Sequence, residues 1–205
     1  RGTVFGGWTY RDDTVIQDLG DFDGDGCDDI LVSGPAGIGI LKRQGSTLTT
    51  LVARPRGTAL GTWRHDADDV FQGVGDFDRD GAADLLISDP TALGILKVQG
   101  STLTTVVSKA TGAWLGGWLY NAGDNVIEAV ADFDGNGTAD ILISSPWGLG
   151  ILTLAGGALN CLDRVAHAQP VGRWYLQETD FVGGVGQLAG GSRAQILLQK
   201  YPRTP

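Results

Sequence analysis

The sequence predicts an all-β fold of repeated four-stranded antiparallel blades, a β-propeller or a segment of one. Three observations point there: one set of motifs recurs at a fixed spacing, the segments between turn formers are short and rich in Val, Ile, Leu and Thr, and no helical period is sustained. "GTVFGGW" at 2–8 returns as "GTALGTW" at 57–63 and "GAWLGGW" at 112–118. "LKRQGSTLTT" at 41–50 returns as "LKVQGSTLTT" at 96–105. The period is 55 residues for the first two units, and one residue inserted before the third acidic loop lengthens it there.

Each element of a unit follows from its local residues. In the first unit "TVIQDLGDF" leads into an acidic loop and "DILVSG" leaves it. "GIGILKRQG" and "STLTTLVA" follow, with Gly, Pro or Ser between the runs. Short β-branched runs bounded by turn formers read as strands. Four such strands in a unit of this length fit a propeller blade, whereas a β-solenoid repeat is much shorter. The 33 glycines, about twice the usual share, supply turns rather than helices.

The units run over about 2–56, 57–111, 112–169 and 170–205, within one propeller or propeller segment spanning 1–205. The fourth is degenerate and holds only two strands before Pro205. Three full blades and part of a fourth are therefore expected. Closed propellers usually have about four to eight blades, so self-association or a longer parent chain is the expectation.

A net charge of −9 leaves no basic stripe to meet phosphates, which excludes a nucleic-acid binder. No apolar run reaches the length of a membrane span. The chain begins at Arg1 and contains no methionine, so it is expected to be a processed or excised piece. Cys27 and Cys161 fall in different units and make no disulfide framework.

The acidic loop carries the chemistry. "DFDGDGCDDI" at 21–30 crowds like charges that need a counter-ion. Aspartates at loop positions 1, 3, 5 and 9, a glycine at 6 and a backbone carbonyl at 7 suit a hard cation held by oxygens. The first unit offers Asp21, Asp23, Asp25, the Cys27 carbonyl and Asp29. The second offers Asp76, Asp78, Asp80, the Ala82 carbonyl and Asp84; the third, Asp132, Asp134, Asn136, the Thr138 carbonyl and Asp140. Position 12, where an EF-hand needs a bidentate Glu, is Val32, Ile87 and Ile143, so these are not EF-hands. Flexible carboxylates favour Ca²⁺ over Mg²⁺, and three structural calcium ions are expected.

"GDFDGDGCDDILVSG" and its two copies resemble the FG-GAP and VCBS repeats of integrin α-chain propellers and secreted bacterial proteins. A Trp, the acidic loop and an "ILVSGPAGIGIL"-type strand pair are also similar to the blades of fungal propeller lectins. The resemblance covers essentially residues 1–200 and is strong in three units. It implies calcium between the first two strands of a blade, a secreted or extracellular setting, and commonly seven blades, for which this chain is too short.

In the fourth unit, "GQLAGGSRAQIL" has lost its carboxylates, gained Arg193 and reads as one residue shorter, so no calcium is expected there. Trp174 persists, matching Trp8, Trp63 and Trp118, and Asp180 persists, matched to Asp13, Asp68 and Asp124. Tryptophans that survive without metal ligands read as packing between blades, with a ring of sugar platforms as the alternative. The aspartates read as turn-closing acceptors of backbone N–H groups. Trp147 and Trp114 are unrepeated: Ala36 and Thr91 stand at the position of Trp147, and Val4 and Ala59 at that of Trp114.

Catalysis finds little support: His65 and His167 occupy no matched motif, no nucleophile elbow, zinc signature or phosphate loop is present, and only a glycosidase-type pair among the many carboxylates stays open. The expected function is non-enzymatic recognition of a glycan or cell-surface glycoprotein. A protein-interaction or adhesion module, or the targeting piece of a secreted hydrolase, is the alternative. Turns alternate between the two ends of an antiparallel blade, so the second-to-third turn lies opposite the acidic loop. Ligand contacts are expected there and on the interblade segments, at Trp147, Trp63 and Trp118, with Trp118 also contributing to stability.

Overall fold

A computed structural model describes residues 2–187 and 191–200. Every regular element among them is a β-strand, as the runs of Val, Ile, Leu and Thr favour. None is a helix long and apolar enough to cross a membrane. The chain divides after Lys109 into two units.

The first unit opens with a small hairpin, β1 (Thr3–Phe5) and β2 (Trp8–Tyr10). A four-stranded antiparallel sheet follows: β3 (Val15–Gly20), β4 (Asp29–Gly34), β5 (Gly37–Gln44) and β6 (Thr47–Pro55). The pattern repeats with the hairpin β7 (Ala59–Leu60) and β8 (Trp63–Arg64). Its sheet is β9 (Val70–Gly75), β10 (Asp84–Ser88), β11 (Ala92–Gln99) and β12 (Thr102–Ala110). The second unit repeats it again with β13 (Trp114–Leu115), β14 (Trp118–Leu119), β15 (Val126–Ala131), β16 (Asp140–Ser145), β17 (Gly148–Ala155) and β18 (Ala158–Ala166). It closes with the hairpin β19 (Pro170–Val171) and β20 (Trp174–Tyr175) and the pair β21 (Asp180–Gly186) and β22 (Gln195–Lys200). Strand order in each sheet follows the chain, as in propeller blades.

One bulge recurs where the first strand of each sheet pairs with the second. In three sheets it aims a polar side chain at a serine of the second strand: Gln17 donates to Ser33, Gln72 donates to Ser88, and Glu128 accepts from Ser144. This fixes the register that carries the acidic loop between those strands.

Each hairpin lays its tryptophan on the third strand of its own sheet. The indoles of Trp8, Trp63 and Trp118 rest on Gly39, Gly94 and Gly150, where an added Cβ would come within 2.6–2.8 Å of the ring. Trp63 also belongs to one core cluster with Leu31, Ile38 and Ile40 of the preceding sheet, in keeping with packing between blades. The threonine Thr105 ties the hairpin down, its hydroxyl donating to the Leu60 carbonyl and accepting from the Trp63 N–H; Thr50 does the same for Phe5 and Trp8.

Three sequence expectations change. Trp63, expected among the ligand contacts, is only 4% exposed and sits in the core, whereas Trp118, 7% exposed, lines a depression beside Trp114 and Trp147. The turn-closing residue matching Asp180 lies one position later than expected, at Thr14, Asp69 and Asn125 rather than Asp13, Asp68 and Asp124. These are the side chains that accept the backbone N–H groups of Arg11, Asp66, Asn121 and, in the last unit, Gln177. Asp69, Asn125 and Asp180 also accept the indole N–H of Trp63, Trp118 and Trp174. Thr14 is paired only with Arg11, and the Trp8 indole N–H has no partner among the described residues. Finally, the fourth loop is not shortened: Gly186 pairs with Gln195 at the same sequence separation as Gly75 with Asp84. Its residues 188–190 lie outside the described residues.

Candidate functional site

Three acidic loops join the first and second strands of the three four-stranded sheets. Position 1 of each loop folds the turn on itself. The Asp21 carboxylate accepts the N–H groups of Asp25 and Gly26, Asp76 those of Asp80 and Gly81, and Asp132 those of Asn136 and Gly137. The glycine at position 6 makes this possible, with φ of 85°, 87° and 87° at Gly26, Gly81 and Gly137. A buried phenylalanine at position 2 anchors the loop, its N–H donated to the carboxylate at position 9 at 3.0–3.2 Å.

The result is three clusters: Asp21, Asp23 and Asp29; Asp76, Asp78 and Asp84; Asp132, Asp134 and Asp140. Within each, carboxylate oxygens lie within 4.8 Å of one another, and each cluster could hold a metal ion. The position 5 aspartates, Asp25 and Asp80, are not in the clusters. Asp25, Asp80 and Asn136 instead accept the N–H of Cys27, Ala82 and Thr138, the residues whose carbonyls were expected as ligands.

The structure adds a residue that the sequence reading passed over. Lys42 on β5 reaches Asp23 and Asp25, and Lys97 on β11 reaches Asp78 at 2.7 Å and Asp80 at 3.0 Å. Hydrogen bonding to Lys42 holds the Asp25 carboxyl below the usual range. The third loop has Thr153 at the lysine position. It also has Asn136 in place of the position 5 aspartate, so charge over the matched positions stays balanced.

At the other side of each cluster the position 9 aspartates are sealed in. Asp84 and Asp140 are 1% and 0% exposed, and the Oδ1 of each has no hydrogen-bond partner among the described residues. A buried carboxylate oxygen without a donor is costly. Burial, then the neighbouring Asp78, pushes the Asp84 carboxyl up to about 7; burial and Asp23 push Asp29 up to about 6. Burial also raises Asp140.

A pH signature follows. Unfolded aspartates titrate near 3.9, so between about pH 4 and about pH 7 the metal-free fold binds more protons than the unfolded chain. Its stability should therefore fall as pH rises through that window. A bound divalent cation displaces those protons and should reverse the slope. Melting curves at about pH 5 and about pH 7.5, in chelator and in excess calcium, test both signs; parallel trends in the two conditions would refute the cluster as a cation site.

Elsewhere in the third of the four repeated units, the turn between β16 and β17 carries Trp147, 72% exposed, and the β13–β14 hairpin carries Trp114, 69% exposed. Both line a cavity of about 490 Å³ with Arg164, Ser145 and the edge of Trp118. The turn is held independently of the indole, by the Trp147 N–H donating to Ser145 Oγ and its carbonyl accepting from the His167 N–H. Of the two histidines, His65 is buried, its Nδ1 2.6 Å from Asp69. Cys27 and Cys161 are both free.

Residues 21–87 match a family described as FG-GAP-like repeat. No curated protein sequence matches the chain. Among solved structures it is similar to an Agrocybe aegerita lectin described for specific recognition of non-reducing terminal N-acetylglucosamine. The TM-score is 0.57 at 21% identity, over 94% of this chain and 48% of that one. It is also similar to a Photorhabdus luminescens Tc holotoxin pore, with a TM-score of 0.53 at 16% identity, over 88% of this chain and 8% of that one. The chain thus spans about half the length of the lectin chain. Blade construction and repeat together define a propeller-type repeat protein. The first two acidic loops lie within the residues that match the FG-GAP-like repeat.

Proposed function

We propose that the chain is a calcium-stabilised, non-enzymatic carbohydrate-recognition module of a secreted protein. The observation that carries the reading is Trp147, an unrepeated indole left exposed on a rigid turn at the blade end opposite the acidic loop. Sugars are held by an apolar platform with a few fixed polar groups, and Trp114, Ser145 and Arg164 stand around this one. The likeness of the fold to a lectin supports the same reading.

Calcium is supported by the donor set. The clusters contain only oxygen ligands, and the orphaned Oδ1 atoms of Asp84 and Asp140 gain a partner if a cation sits there. Its role is structural, since loop and Trp147 turn lie at opposite ends of the strands. A glycan array probed with the calcium-loaded chain should give discrete binding. Trp147→Ala should weaken it by about 2 kcal/mol, roughly thirtyfold, while the melting temperature stays nearly unchanged. Capture of a protein partner with no glycan bound would instead support an adhesion module. A bound sugar ligating calcium directly would overturn the separation of roles.

A further inference from the structure

The repeats contain their own control for what is scaffold and what is not. Trp114, Trp147 and Arg164 all belong to the third unit, and each replaces something smaller. Val4 and Ala59 stand where Trp114 is, Ala36 and Thr91 where Trp147 is, and Ala53 and Ser108 where Arg164 is. The strand pairing confirms the last match, with Gly39 opposite Ala53 and Gly150 opposite Arg164. A blade folds without these side chains. Yet the three line one cavity of about 490 Å³, and two of them leave large apolar rings in water.

Arg164 gives the cavity a sign. Its Nη1 donates to the Gly117 carbonyl, and its guanidinium makes no ion pair with a described carboxylate. The adjacent Asp163 accepts only the Arg164 backbone N–H, and strand alternation turns its side chain to the opposite face of β18. A guanidinium carries five N–H donors in a planar fork that matches a carboxylate.

From this convergence we infer that the third unit holds a site for a carboxylate-bearing saccharide, a uronate-type sugar. Trp114 and Trp147 receive the ring faces and Arg164 receives the carboxylate. The inference rests on the carbohydrate reading above and narrows its ligand class. At a net charge of −9 no general field draws an anion to this protein, so any preference for the acid must come from the local guanidinium.

The test uses matched oligosaccharide pairs ending in glucuronate or glucose, and in galacturonate or galactose, titrated into the calcium-loaded chain. At least one acidic sugar should bind about tenfold tighter than its neutral partner, the worth of one charged hydrogen-bond pair. The preference should shrink in about 0.5 M salt. Arg164→Gln should remove the preference by weakening the acid alone, with an unchanged melt, while Trp114→Ala and Trp147→Ala should weaken both sugars. Equal binding of acid and neutral partners, lost in Trp147→Ala, overturns the acid specificity and leaves the carbohydrate reading standing. A preference that survives Arg164→Gln overturns the assignment of Arg164. Binding of no saccharide, here or on the array, overturns both.

Discussion

Excess chelator is expected to lower the melting temperature of this chain by about ten degrees or more. The expectation follows from linkage. An ion that binds only the folded state adds roughly 4 kcal/mol when free calcium exceeds its Kd about a thousandfold, and each such kcal/mol moves the melt of a chain this size by about 2–4 °C. Three clusters are available, each with a position 9 carboxylate whose burial already disfavours its charge. Asp84→Asn separates the metal effect from simple loss of a contact. The amide oxygen still accepts the Phe77 N–H, so the loop anchor survives. In chelator the variant should be as stable as the parent or more so, because a buried, crowded carboxylate has gone. In calcium it should be less stable. Gln187→Ala, in the loop without carboxylates, should change neither condition. A melt indifferent to chelator would remove the metal reading altogether.

Much of this was legible in the sequence, and for a definite reason. The blade and the acidic loop are local features, written three times in residues whose spacing sets their geometry. What lay beyond reading is what depends on contacts across strands. Lys42 and Lys97 sit on the third strand, 19 residues from Asp23 and Asp78, and only the folded sheet brings them to the loop. In the second repeat the turn-closing residue lies one position from the one expected because two acids stand side by side there. Asp68 and Asp69 are equivalent in composition, and only hydrogen bonding to Trp63 and Asp66 tells them apart. Arg164 was overlooked although the signal existed: aligned on the hairpin glycines, the first two units show Ala53 and Ser108 at its place.

The burial of Trp63, expected among the ligand contacts, has the same origin and yields the second large effect. A signal was present in Gly39, Gly94 and Gly150, each set among apolar neighbours at the same point of the third strand. Gly94 is not needed for an unusual backbone angle, since it lies outside the positive-φ set. It is needed because its Cβ would lie 2.8 Å from the Trp63 ring and 3.5 Å from Ile87. The ring cannot yield. Its indole N–H is bound to Asp69 and its backbone N–H to Thr105, and it shares a core cluster with Leu31, Ile38 and Ile40 of the preceding sheet. Gly94→Ala should therefore cost about 1–3 kcal/mol, the usual price of overpacking a close-packed core, and lower the melt by roughly 2–12 °C. Trp63→Leu should itself be destabilising, by about 3 kcal/mol, through lost burial and an unpaired Asp69 oxygen. The decisive comparison is the double variant. With the indole removed, the added methyl fills part of the space it left, so the two costs should fall short of additivity by at least about 1 kcal/mol. Strict additivity would mean that the glycine serves the strand by some route other than making room for tryptophan.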